Sequence, residues 1–262
     1  MERIFKFDEK KARGVERMYA LPDIVAQRRS FIKKLELKSG ESILDVGAGP
    51  GYLLAEMANI TGVNGHITGI DLSPDMVAIA QNRCKELPQV TVQEGDATNL
   101  PCADEIFDVL VSTQVYEYVA DMPGALCEAY RVLKPGGRIA ILDTDWQSVV
   151  WHNSDPARMT RVMKAWDAHL FDPNLPQTLL PKLRAAGFSL QSCDILPILN
   201  PEYDPQTYSG TMLRNIAGFT ANIEEIGKEV ATAWREDLLS HGSAGTYFFS
   251  LNRYVFIAQK PV

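Results

Sequence analysis

At 262 residues the chain has the length of one large domain, or of one domain carrying a lid. Its 46% apolar and 23% charged residues describe a folded protein rather than a disordered one. The net charge of −7 argues against a broad nucleic-acid surface, which needs clustered cations to neutralise phosphates.

The first thirty residues read as helix. Ile4, Phe5 and Phe7 precede a run of alternating charges, Lys10 to Arg17, that reads as a solvated face. Leu21-Pro22-Asp23 then restarts a helix with proline at its first position, running to Leu35 with Ile24, Val25, Phe31 and Ile32 on helical spacing. From residue 42 the pattern becomes short apolar runs separated by helical stretches. Strands are expected at Ile43–Val46, His66–Ile70, Val90–Val92, Phe107–Ser112 and Arg138–Leu142. Helices are expected at about Tyr52–Ala58, Ser73–Lys85 and Met122–Leu133. This alternation predicts a doubly wound α/β fold with a mostly parallel sheet and helices on both faces. Further on, helices are expected at Asp155–Leu170, Leu175–Ala186 and through much of 204–240, with strands at Ser189–Leu196 and Tyr247–Ala258. His169 falls in an apolar stripe with Met159, Val162, Met163 and Trp166, which reads as core.

The sharpest feature is Leu44-Asp45-Val46-Gly47-Ala48-Gly49-Pro50-Gly51, a strand entering a glycine loop and then a helix. Glycines there let backbone approach a ligand closely. A dinucleotide site needs G-x-G-x-x-G, yet counting from Gly47 the third glycine falls at Tyr52, and no phosphate-loop Lys-Ser/Thr follows. Asp45 beside the loop suits an ammonium group and not a pyrophosphate. Asp71 closes the second strand, where such sheets bind ribose hydroxyls, and Asp96 follows the third. All three sit at carboxyl ends of consecutive parallel strands, where open α/β sheets bind ligands.

These pieces, with Leu72-Ser73 and Met76, Gly95-Asp96-Ala97, Leu100-Pro101, Phe107-Asp108 and Leu133-Lys134-Pro135-Gly136-Gly137, resemble the class I S-adenosylmethionine-dependent methyltransferases. The closest branch is the small-molecule one that includes ubiquinone- and menaquinone-biosynthesis-type enzymes. The resemblance implies a seven-stranded Rossmann-like sheet and S-adenosylmethionine as cofactor. It also implies Gly47, Gly49 and Gly51 against the methionine moiety with Asp45 at its ammonium end. Asp71 would take the ribose hydroxyls, Leu72 and Met76 the adenine, Asp96 and Ala97 its amino group, and Thr113 the methionine side. Tyr19 would close over the cofactor. Many relatives carry histidine after the fourth strand, where this chain reads Tyr116-Glu117-Tyr118.

On this reading residues 1–35 form a helical cap, 36–145 the cofactor-binding core, and 146–262 the remaining core strands with a helical substrate lid, all within one domain. The about fifty residues between Leu196 and Tyr247, where the family has a short hairpin, would roof an acceptor pocket. The expected reaction is methyl transfer to O, N or C of a small, partly apolar molecule. Asp143, Asp145 and His152 are the candidate bases, with Asp145-Trp146 opening the lid. No metal is expected, since no His/Cys cluster or carboxylate cage is evident. The rivals are a non-catalytic S-adenosylmethionine-binding regulatory module and an NAD(P)-dependent oxidoreductase. No apolar run approaches the ~18–20 residues that cross a bilayer, the N-terminus is too charged for a secretory signal, and Cys84, Cys102, Cys127 and Cys193 form no C-x-x-C pair. A cytoplasmic protein without integral membrane association is expected.

Overall fold

The computed structural model describes residues 9–262, so Ile4, Phe5 and Phe7 lie outside the described residues. Two helices, α1 (Glu9–Tyr19) and α2 (Pro22–Leu35), precede the sheet. The alternation then runs β1 (Ser42–Val46), α3 (Tyr52–Thr61), β2 (His66–Asp71), α4 (Pro74–Cys84), β3 (Val90–Glu94), β4 (Phe107–Thr113), α5 (Met122–Val132) and β5 (Leu133–Trp151). After these come α6 (Pro156–Asp167), α7 (Leu175–Ala185), β6 (Ser189–Asn200), α8 (Tyr208–Thr220), α9 (Gly227–Ala244) and β7 (Phe249–Gln259). Helix starts follow local chemistry. Ser73, Asp121 and Asp155 each accept a hydrogen bond from a backbone N–H three residues on, and each is followed within two residues by a proline.

The seven strands lie in the order β3-β2-β1-β4-β5-β7-β6, parallel from β3 to β5, with β7 antiparallel to both its neighbours. The chain builds outward from β1 to β3, then restarts at β4 on the other side of β1. That switch point opens a crevice outside the carboxyl ends of β1 and β4. One apolar cluster packs α5 and α7 on one face of the sheet through Leu126, Ala129, Leu179 and Leu183. A second packs α2 and α3 on the other through Phe31, Leu35, Leu54 and Met57. A third joins α6, α8 and α9 to the far ends of β5 and β7 around Trp151, Trp166, Trp234 and Phe249.

One expectation needs correcting. β5 does not stop at Leu142 but continues to Trp151, because β7 supplies an antiparallel ladder that pairs Asp145 with Asn252 and, past a bulge, Trp151 with Phe249. Asp145 and Trp146 are therefore strand residues within the sheet and do not open a lid. β6 is longer than expected for the same reason, its pairing with β7 extending to Asn200. Among the described residues no helix is long and apolar enough to cross a membrane.

Candidate active site

The loop after β1 is built by hydrogen bonds from its neighbour β2. The Gly47 and Ala48 amides both donate to the Ile70 carbonyl, at 2.7 and 2.9 Å, and Gly49 N–H donates to Asp71 Oδ2 at 2.8 Å. Asp71 Oδ1 accepts from Ser73 N–H at 2.9 Å, so one carboxylate ties the glycine loop to the cap of α4. Gly47 and Gly51 have φ of +75° and +78°, and a Cβ on them would lie 2.2 Å from Val115 and 2.9 Å from Ala80. Gly49, at φ +52°, differs: a Cβ there would meet nothing within 4 Å. The first two positions let chain segments pack closely, while the third faces a cradle open to a ligand.

Beneath the loop, Asp45 is 1% exposed, and neither carboxylate oxygen has a hydrogen-bond partner. Burial, reinforced by the charge of Asp71, pushes its pKa up to about 8. Burial also raises Asp71, against the lowering effect of the Ser73 and Gly49 amides. A buried carboxyl without a partner is costly unless a cation or donor arrives to satisfy it. Met76 is buried, Leu72 is 62% exposed, and Asp96 is exposed with Oδ1 accepting from the Thr98 amide and hydroxyl, both at 2.8 Å. Thr113 and Ala97 are half-buried at the ends of β4 and of the loop after β3.

Helix α1 is tied to this loop. Arg83 of α4 donates to the Pro50 carbonyl at 2.6 Å, pairs with Glu16 of α1 at 2.6 Å, and lies 3.5 Å from the centroid of the Tyr52 ring. Arg28 of α2, 5.0 Å from the same ring, holds Glu56 and the Tyr19 carbonyl. Arg83→Met keeps the stem and removes the charge. It should speed amide exchange across α1 about two- to fivefold, the scale of a partly exposed ion pair of ~0.5–1 kcal/mol. Hydrogen-exchange mass spectrometry checks this, and exchange unchanged in α1 would show that apolar packing alone holds it.

On the other side of the crevice the carboxyl ends of β4 and β5, with the amino-terminal half of β7 beside them, carry a buried polar layer. Arg253 Nη1 donates to Gln27 Oε1 at 2.6 Å, Arg253 Nε to Thr144 Oγ1 at 3.2 Å, and Thr144 Oγ1 to Gln114 Oε1 at 2.5 Å. Gln114 holds a left-handed backbone, φ +59°, pinned by its amide on the Leu142 carbonyl at 2.8 Å. Glu117, in the single turn of 3-10 helix Tyr116–Tyr118, is 1% exposed and accepts from Trp146 Nε1 at 2.9 Å. Burial raises its pKa to about 7, opposed by the Trp146 hydrogen bond and by Arg253 and assisted by Asp172. The Tyr19 ring is half-buried, but its hydroxyl is enclosed within reach of Arg253, Tyr208, Glu117 and Asp143, and burial pushes its pKa up to about 12.

Asp45, the three glycines and Asp71 thus come together as expected from the sequence, and Tyr19 reaches the crevice. The candidate bases do not assemble. Asp143 has no exposed surface, and burial, then the charge of Glu117, raise its pKa well above the ordinary carboxylate value, against Arg253 and the Val115 and Tyr116 amides. Asp145 is occupied by Gln177 Nε2, at 3.2 and 3.1 Å from its two oxygens, and by the Gln147 amide at 3.1 Å. His152 is exposed, bonded at 2.6 Å to the Thr246 carbonyl and stacked 4.3 Å from His241 beside α9, because the extension of β5 carries it away. Glu117 and Arg253 were missed as site residues. The tripeptide Tyr116-Glu117-Tyr118 stood out only as a departure from a family histidine, and nothing local marks Arg253.

A family model described as a methyltransferase domain matches residues 37–187. An uncharacterized 37.1 kDa protein in transposon Tn4556 of Streptomyces fradiae is 32% identical over 239 residues, covering 87% of this chain and 65% of that protein. The demethylmenaquinone methyltransferase of Tropheryma whipplei is 41% identical over 118 residues, 44% of this chain and 47% of that enzyme. The chain therefore spans less than two thirds of either relative. Among solved structures, Haemonchus contortus phosphoethanolamine N-methyltransferase 2, in complex with S-adenosyl-L-methionine, superposes with a TM-score of 0.64 at 20% identity, over 98% of this chain and 58% of that one. With more than half of its length matched by the family model, the chain belongs to the methyltransferase domain family.

Proposed function

We propose that this protein transfers a methyl group from S-adenosylmethionine to a small, partly apolar organic acceptor. The observation that carries the reading is the partnerless buried carboxyl of Asp45 beside the open cradle of Gly49. It fits a ligand that brings an ammonium group to the end of β1. Asp71 keeps lone pairs free beyond its two amide bonds to receive ribose hydroxyls. Leu72 and Met76 would bracket the adenine, with Asp96 and Ala97 at its amino group and Thr113 on the methionine side. When bound, the cofactor supplies a sulfonium methyl, an electrophile that an acceptor lone pair can displace in line.

The protein's own work is placement, exclusion of water and proton handling. Tyr19 and α2 close one side, while α6, α8 and α9 roof the other with Trp166, Met212 and Phe219. On this reading α1 and α2 serve as the cap and α6, α8 and α9 as the lid. A carboxyl titrating near neutrality is suited to take a proton from an acceptor hydroxyl or amine, and Glu117 is that carboxyl. The net charge of −7 disfavours nucleic acid as acceptor, and four free cysteines fit a reducing cytoplasm.

Calorimetry with S-adenosylhomocysteine and NAD, followed by turnover against phenols, quinols and amines, tests the reading. Binding of S-adenosylhomocysteine without turnover of any class would favour a regulatory module, and binding of NAD instead would overturn the proposal. Among the described residues no group of three His, Cys, Asp or Glu side chains is placed to hold a metal ion. Methyl transfer should therefore persist after exhaustive EDTA treatment, and loss restored by one divalent ion would refute this.

A further inference from the structure

Arg253 is a buried cation without a carboxylate. It is 6% exposed, and among the described residues no Asp or Glu comes within ion-pair distance of it. Its N–H donors go to Thr144, Gln27 and the Tyr208 hydroxyl, none of them a carboxylate. The guanidinium lies 5.0 Å from the centroid of the Tyr208 ring, also at the edge of the crevice. Buried arginines are normally paired, since desolvating an unmatched charge is expensive. Glu117 and Asp143 feel its charge without pairing with it: Glu117 accepts from Trp146, and burial raises the pKa of Asp143 well above the ordinary carboxylate value. His169, lowered to about 4 by burial and only partly restored by its bond to the Trp166 carbonyl, is uncharged at neutral pH.

A cluster of aromatic rings joins α6, α8 and the turn after β4. The Trp166 ring lies 4.0 Å from His169 and 5.4 Å from Phe219, and Tyr118 lies 5.8 Å from His169. Burial raises the hydroxyl pKa values of Tyr19 and Tyr208, so they stay protonated as donors. A cationic amine placed here would meet Arg253, whereas an anionic oxygen on a flat ring would meet a guanidinium, hydroxyl donors and aromatic faces.

We propose that Arg253 is a specificity-determining residue that holds the ionised oxygen of an aromatic hydroxyl on the acceptor, a phenolate, against the Tyr19 and Tyr208 hydroxyls. This rests on the methyl-transfer reading and narrows its acceptor to the phenol class. Arg253 favours the ionised oxygen, and Glu117 receives the proton that leaves it. The charged and titratable groups facing that oxygen are Arg253 from β7, Glu117 and Tyr118 after β4, Asp143 from β5, Tyr19 from α1 and Tyr208 from α8. Asp172 acts through Glu117, and Asp23 through Tyr208.

The test uses 4-nitrophenol, whose phenolate absorbs in the visible, with 4-nitrobenzylamine as its cationic counterpart. Both are titrated into the full chain saturated with S-adenosylhomocysteine. The expected result is tighter binding of 4-nitrophenol than of the amine, with its ionisation moved down by about one pH unit, a tenfold bias. Arg253→Gln should abolish the shift and weaken 4-nitrophenol at least about tenfold, Arg253→Lys should retain part of it, and S-adenosylhomocysteine affinity should stay unchanged in both. Preference for the amine, or a shift that survives Arg253→Gln, overturns the assignment. If Arg253→Gln fails to fold, the wild-type shift and its reduction in Arg253→Lys decide the question. Failure of the wild type to bind S-adenosylhomocysteine would instead overturn the methyl-transfer reading itself.

Discussion

Asp71→Ala should weaken S-adenosylhomocysteine binding by about 1.5–3 kcal/mol, roughly ten- to hundredfold, the scale of hydrogen bonds to a charged group. The residue acts twice. It would receive the ribose, and it already holds the Gly49 and Ser73 amides at 2.8 and 2.9 Å, so its removal also unpins the loop. Asp71→Asn, which keeps an oxygen for one amide, should fall between. Calorimetry beside a thermal melt separates the two contributions, and unchanged affinity in Asp71→Ala would remove Asp71 from the site. Its neighbour offers a sharper signature. Asp45, raised to about 8, is mostly protonated at pH 7 until an ammonium arrives. Binding should therefore release up to about one proton, read as a dependence of the measured enthalpy on buffer ionisation heat. Because the folded pKa is raised, Asp45 favours folding at low pH, and that contribution fades as pH rises from about 4 to about 8. Asp45→Asn should abolish both the proton release and that part of the pH dependence of the melt.

The half of the crevice proposed for the cofactor was legible in the sequence because its residues are local. Asp45, the three glycines and Asp71 fall within a strand–loop–helix–strand unit, where one β-strand end and one turn place every group. The mostly parallel sheet with helices on both faces followed from the same alternation, and proline and cap residues located most helix starts to within one or two residues. The acceptor half was not legible, because its residues converge from across the chain. Arg253 meets Gln27 across 226 positions and Thr144 across 109. The reach of β5 to Trp151 depends on β7, which lies a hundred residues later, so Asp145-Trp146 was expected to open a lid where the antiparallel ladder continues the strand. A buried acid is also indistinguishable from a cap or a solvated one without its surroundings, so nothing in the sequence singled out Glu117 as an acid.

Glu117→Gln should lower methyl transfer to an acceptor with a dissociable proton by about 10²–10⁴, the usual range for a positioned general base. The wild-type rate should climb through pH ~7 as the buried carboxyl ionises, and the variant should lose that limb. The substitution is nearly isosteric. A glutamine oxygen can still accept from Trp146 Nε1, and the backbone carbonyl of residue 117 still accepts from the Phe171 and Asp172 amides, so the turn keeps its shape. S-adenosylhomocysteine affinity should not change. Stability moves in the opposite direction to activity. A carboxyl raised by burial loses its favourable contribution as pH rises through its folded pKa, so at pH 8 the wild type carries a buried charge that the variant lacks. The Glu117→Gln melt should therefore be higher than wild type at pH 8 and converge with it near pH 5. A base that costs stability and supports turnover is the expected pattern for a group kept for chemistry. A variant with full activity and the wild-type pH profile would show that Glu117 only anchors Trp146, and that the acceptor loses its proton elsewhere or has none to lose.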